Sequence, residues 1–206
     1  MLKELVKHMF PRRIEAADMR LAYTFCLGGL AFTALLVLMI SGLLLLFYYS
    51  PTPEAAHGSV QFLESAVWGG PYLRSLHRFA SHALLVLLAL HTLRVILTGA
   101  FLRPRRLNWV VGCLLLFCAL FEAYTGYLLP LDQLAYWATQ TGMQLMLVLP
   151  FGEGLRALLV PDGVGAPLSL LRFYALHIAI LPLAMVALSM LHFFTIRRQR
   201  GLLPYL

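Results

Sequence analysis

Four stretches of this 206-residue chain are apolar over at least the length of a membrane-crossing helix, at residues 21–49, 75–99, 107–129 and 170–196. A helix needs about 20 largely apolar residues to cross a bilayer, so each qualifies as a span, and the first is long enough to tilt or project. Residues 130–169 lie between the third and fourth spans. They hold two weaker patterns, near 131–147 and 152–160, which predict short helices on the surface. The expected fold is an all-α integral membrane bundle of four transmembrane helices, forming one domain over residues 1–206.

Composition agrees. Charged residues make up only 12% of the chain and hydrophobic ones 61%, whereas a soluble domain is roughly one quarter charged. The net charge of +7 does not indicate nucleic acid, because the charges are confined to short segments between the apolar runs. The first 20 residues, MLKELVKHMFPRRIEAADMR, lack the apolar core and cleavage site of a signal peptide. Leu2, Leu5, Val6 and Met9 recur there at helical spacing among Lys3, Lys7, Arg12 and Arg13, predicting an interfacial amphipathic helix. Cys26, Cys113 and Cys118 fall in apolar runs without a CxxC, so neither a disulfide framework nor an ordinary c-type haem attachment is signalled.

Four alternating spans place the N-terminal arm, the RPRR loop and the C-terminal RRQR on one side. Lys3, Lys7, Arg12, Arg13, Arg20, Arg94, Arg103, Arg105, Arg106, Arg197, Arg198 and Arg200 lie there, 12 of the 16 basic residues. That side is the cytoplasmic, or n, side, and it holds both termini; the opposite face is the p side.

Histidines interrupt the second and fourth spans. Ionisable groups inside a membrane helix are functional candidates, because burying them without a partner is costly. His77 and His91 are 14 residues apart, hence about 40° apart around the helix and roughly 21 Å along it. His177 and His192 are 15 apart, about 60° in angle and roughly 22 Å in rise. Both helices run from p to n, so His77 comes level with His177 and His91 with His192. Two such levels can clamp two planar metal cofactors, and bis-histidine haem suits them. Zinc would gather its ligands into one tetrahedral site. Packing or proton relay is the plainer reading for one histidine, but not for four in register. His82 lies about 140° round the helix from His77, and His8 and His57 lie outside the spans.

Glycines repeat the period. Gly28 and Gly42 in the first span, and Gly112 and Gly126 in the third, are likewise 14 apart. A flat ring can lie against a helix only where a side chain is missing; helix–helix packing is the other use of such residues. Arg74 and Arg78 flank His77, and Arg94 lies one turn beyond His91. Arginines so placed suit haem propionates, although Arg94 also has the reach to snorkel to the interface.

The runs RSLHRF (74–79), LHTLRVILTG (90–99), YTGYLLPLDQLAYWA (124–138) and RFYALHIAILPLAMVALSMLHFFTIRRQ (172–199) resemble the cytochrome b family in its short b6 form. FCLGG (25–29) and FYYSPTPEAAHGSVQF (47–62) are similar to the same family. The resemblance implies a subunit of a quinol-oxidising cytochrome bc-type complex in the bacterial cytoplasmic membrane, rather than a thylakoid. His77 and His177 would ligate a p-side haem b, and His91 and His192 an n-side haem b. Quinol oxidised near the p face would send one electron to a Rieske iron–sulfur protein or c-type cytochrome. The other would cross to the n side, coupled to proton translocation. Cys26 matches the family cysteine that carries a third haem through one thioether. A C-terminal cytochrome b-like subunit would complete the quinol site in a dimeric complex, leaving this chain part of an enzyme rather than active alone.

Three residues need separate notice. Leu131 replaces the tryptophan of the family's Pro-Trp-Asp-Gln, Glu122 stands where the b6 form has an apolar residue, and Pro182 is expected to kink the fourth span and absorb its extra residue. The alternative functions are a di-haem anchor tying another oxidoreductase to quinone without a Rieske partner, and a haem-free membrane scaffold or transporter.

Overall fold

The computed structural model describes residues 26–198, which form helices and connecting turns with no strand among them. The N-terminal amphipathic helix lies outside the described residues. Four helices are long and apolar enough to cross a membrane: α1 (Leu27–Leu45), α3 (Gly70–Leu97), α4 (Arg106–Leu128) and α7 (Pro167–Arg198). The two short helices expected between the third and fourth spans are present as α5 (Gln133–Met146) and α6 (Gly152–Leu159). A third short helix, α2 (Ala56–Ser65), joins the first two spans and was not expected.

Local chemistry explains where these helices begin. Span α3 starts five residues before the expected Ser75, with Pro71 in its first turn, where a missing N–H costs nothing. Span α7 likewise opens on Pro167. The carboxylate of Asp162 accepts from the backbone N–H groups of Leu168 (2.8 Å) and Ser169 (3.0 Å) and from the Ser169 hydroxyl. These donors, the Ser169 hydroxyl foremost, hold the Asp162 carboxyl below its ordinary range. Asp132 caps α5 by accepting from Ala135 N–H at 2.8 Å. At the far end of α6, Arg172 donates to the carbonyls of Ala157 and Leu158, which have no acceptor role within the helix.

The bundle is two helix pairs: α1 packs along α3, and α4 along α7. The pairs meet in a central layer where Ala31, Leu35, Leu84, Ala119 and Met185 are buried together. These positions bisect the repeats. Leu35 is seven residues from both Gly28 and Gly42, Leu84 seven from both His77 and His91, and Ala119 seven from both Gly112 and Gly126. Met185 is seven from His192 but eight from His177. A second core, at the end of the bundle that carries α2, α5 and α6, packs Ala56, Met143, Leu159 and Val160 of the surface segments on Leu128, Leu170 and Phe173. There the Tyr49 hydroxyl donates to Leu129 O at 2.7 Å, and burial beside Tyr174 pushes its phenol well up. The outward faces of the spans remain apolar, with Leu43, Phe117 and Leu183 all more than half exposed, as helices in a hydrocarbon solvent require.

The extra residue of α7 is absorbed by a π turn, Leu176–Ile180, closed by Leu181 N–H donating to Leu176 O. Such a turn houses one more residue than an α turn. It lies in the half of the helix that counts eight residues instead of seven. Pro182, expected to take up the difference by a kink, follows directly after, where its lack of an N–H removes one regular helical bond.

Candidate cofactor-binding site

Each histidine of α3 meets one from α7 across the bundle. The rings of His77 and His177 have centroids 6.3 Å apart and planes at 74°; those of His91 and His192 are 6.4 Å apart at 75°. The two levels are therefore near copies, despite the unequal spacing along α7. Two metal–imidazole bonds of about 2.0 Å, with roughly 1.1 Å from each nitrogen to its ring centre, would separate the centroids by about 6.2 Å. The opposed pairs thus have the span of two axial ligands on one metal. Among the described residues no cluster of three or more His, Cys, Asp or Glu stands together, so the donor set suits a metal that brings its own equatorial ligands.

All four glycines face these rings, one ring each. A Cβ on Gly28 would lie 3.2 Å from His91 Cε1, and one on Gly42 3.2 Å from His77 Cε1. On Gly112 it would lie 3.4 Å from His192 Cε1, and on Gly126 only 2.4 Å from His177 Cε1. Helices α1 and α4 therefore contribute absent side chains while α3 and α7 contribute rings. The glycine–ring pairing thus stays within each helix pair, α1 with α3 and α4 with α7, while the rings themselves meet across the bundle.

The His77–His177 pair has defined hydrogen-bond partners. His77 Nδ1 lies 2.9 Å from Ser41 Oγ, whose own hydrogen is directed to Val37 O at 2.7 Å, so the imidazole donates. His177 Nδ1 lies 3.1 Å from Glu122 O, 3.4 Å from Thr125 Oγ1 and 3.3 Å from Glu122 Oε1. A proton held at Nδ1 leaves Nε2 as the free donor nitrogen on both rings. At the other level, His91 Nδ1 is buried without a hydrogen-bond partner.

Ser41 and Thr125 were not singled out in the sequence, although a signal existed. Ser41 and Thr125 immediately precede Gly42 and Gly126, the glycines of the His77–His177 level, whereas Leu27 and Val111 precede Gly28 and Gly112 of the other level. Arg74 forms an ion pair with Glu64, tying α3 to α2. Arg78 is exposed, and Arg94 half-buried one turn beyond His91. Arg105, only 7% exposed, is a further cation, at the start of α4, that sequence reading used only for topology. His82 is exposed and belongs to neither level; His57, also exposed, has Nδ1 3.2 Å from Pro130 O. Cys26 is exposed, takes a left-handed conformation (φ 50°) and precedes by two residues the glycine that faces His91.

Residues 15–200 match the family model described as cytochrome b/b6/petB. The chain is 45% identical over 176 residues to a cytochrome b6 of Heliobacterium mobile, covering 85% of this chain and 83% of that one. It is 39% identical over 202 residues to the menaquinol:cytochrome c reductase cytochrome b subunit of Bacillus subtilis (strain 168), covering 97% and 90%. A solved structure described as a hyperthermophilic respiratory Complex III superposes with a TM-score of 0.77 at 26% identity. That match covers 95% of this chain and 51% of the other, so the chain spans about half the length of that relative.

Proposed function

Since the chain belongs to the cytochrome b/b6 family of haem-binding, multi-pass membrane proteins, we propose that it is the transmembrane electron-transfer subunit of a quinol-oxidising cytochrome bc-type complex. His77 and His177 hold one haem b on the p side, and His91 and His192 a second on the n side. Bound there, haem supplies reversible one-electron chemistry, with potentials tuned by axial ligands, hydrogen bonds and burial. The chain's own residues do the rest. The four glycines open the width a flat ring needs. Ser41 and the Glu122 carbonyl hold the Nδ1 protons of the p-side rings and so aim Nε2 inward. Arg78, Arg94 and Arg105 supply cations towards the membrane faces for propionates, while Glu64 occupies Arg74. Cys26 stands beside the n-side level, where a third haem would attach through one thioether.

Residues 1–206 act as one domain of a bacterial cytoplasmic-membrane complex, with both termini on the n side. A C-terminal cytochrome b-like subunit, a Rieske protein or c-type cytochrome, and quinol complete the activity in a dimeric assembly. Electrons moving from p to n against a membrane potential of 100 mV store about 2.3 kcal/mol per charge.

The observation that carries this reading is the pairing of rings at both levels, with a glycine facing each ring. A pyridine-haemochrome count on the purified complex tests it. We expect two non-covalent b haems per chain. His77→Leu or His177→Leu should remove the same one, and His91→Leu or His192→Leu the other. Reduced protein without low-spin b bands, or substitutions that leave the count unchanged, would overturn it. Absence of a co-purifying Rieske protein or c-type cytochrome would favour the anchor reading.

A further inference from the structure

The two levels match in ring separation, ring angle and facing glycines, yet among the described residues only the His77–His177 level has a carboxylate against a ring. Glu122 lies in α4, one turn before Gly126, and its Oε1 is 3.3 Å from His177 Nδ1. This is the only histidine–carboxylate pair among the described residues. The other carboxylate oxygen, Oε2, is buried without a hydrogen-bond partner. Among the described residues no carboxylate pairs with the other three rings: His77 faces the neutral Ser41 hydroxyl, and neither His91 nor His192 forms an ion pair with a carboxylate.

A carboxylate inside a membrane bundle without a cation is costly, and no lysine or arginine of the described residues pairs with it. Glu122 therefore gains most when positive charge appears beside it. Resting on the haem reading above, we propose that Glu122 is a positioning residue for the p-side level. Acting through His177 Nδ1, it makes that imidazole a stronger donor and stabilises the ferric over the ferrous state of the iron it ligates. An outer-shell carboxylate is known to raise the basicity of a metal-bound imidazole in this way, and a nearby negative charge adds to it in a low-dielectric site.

The consequence is directional. With only the p-side level so biased, an electron there is held less firmly than on the n-side level, and p-to-n transfer becomes downhill. Glu122 contributes to that inequality through its charge, with the same ligand type at both levels.

The test is an equilibrium redox titration of the purified complex carrying Glu122→Gln, which keeps the shape and the carbonyl contact but removes the charge. The p-side component should shift towards the ferrous form by at least tenfold, about 59 mV for one electron, with the n-side component unmoved. Glu122→Asp should restore part of the difference, and Ser41→Ala, which alters a neutral partner on the same haem, should produce a smaller shift. An unchanged p-side potential with both haems in place would overturn the role of Glu122 alone. Wild-type protein lacking b haem would instead overturn the reading on which it rests. If the Gln variant loses the p-side haem, Glu122→Leu, which also removes the charge, is titrated instead, and an unshifted p-side potential there would likewise count against the proposal.

Discussion

Gly126→Ala puts the ring-and-glycine arrangement under its most severe strain. A methyl group there would sit 2.4 Å from His177 Cε1, 2.9 Å from Nδ1 and 3.0 Å from Nε2. Ordinary carbon contacts lie near 3.5–4.0 Å, so the ring has to retreat by about 1 Å. A ring that ligates nothing can do this by turning on its side-chain torsions. A ring bonded to a metal cannot, so the penalty falls on the loaded state. Overpacking of this kind costs about 1–3 kcal/mol, which is roughly a 5- to 150-fold loss of affinity. Gly112→Ala is the internal control, on the same helix, because its methyl would meet His192 at an almost normal 3.4 Å. The assay is haem content per chain, with the two components separated by redox titration, alongside far-ultraviolet circular dichroism. We expect Gly126→Ala to lose the p-side component with helicity unchanged, and Gly112→Ala to keep both. Full loading of Gly126→Ala together with loss of haem from Gly112→Ala would refute the reasoning.

Deleting Ala179, within the π turn, should let the turn close as ordinary α-helix and leave both haems bound. Deleting Ala187, in the regular part of α7, should swing His192 by about 100° and cost the n-side haem; equal haem counts in the two deletions would contradict this. Because the folded state depresses the Asp162 carboxyl, its contribution is fully present above the ordinary carboxylate range and fades as pH falls through the depressed native value. Thermal unfolding in detergent should therefore show Asp162→Asn less stable than wild type at neutral pH, with the gap closing in acid; a gap that persists unchanged in acid would rule this out. Cys26→Ala should abolish haem staining of the chain on a denaturing gel while leaving two dissociable b haems, and staining that survives would exclude attachment at that cysteine.

The histidine and glycine repeats were legible because a membrane helix carries few reasons for either residue other than its use. Angular arithmetic on positions 77 and 91, and on 28 and 42, was enough to say which faces meet. The π turn was not legible. Leu176–Ile180 is an apolar run like its neighbours, and its only trace was a spacing of 15 where 14 was wanted. Helix α2 was missed because its AHGSVQFLES segment is too polar for a span and too short to show strong periodicity. The early starts of α3 and α7 followed from Pro71, Pro167 and the Asp162 cap, local devices that a hydropathy reading does not see. Arg105 was hidden by its setting: in a run of arginines, nothing in the sequence marks which one turns inward.

The layer of Ala31, Leu35, Leu84, Ala119 and Met185 bears on what such a protein must not do. A device that separates charge across a membrane fails if the ions can flow back through it. With haem held at both levels, as proposed, electrons would cross this layer by tunnelling through its saturated side chains. Protons cannot, for they need hydroxyls, carboxylates or water chains, and the five buried side chains offer none. Under that reading the midpoint of the bundle would be a septum that conducts electrons and insulates against protons. A single hydroxyl or carboxyl introduced at Leu84 would be the first step towards a short circuit.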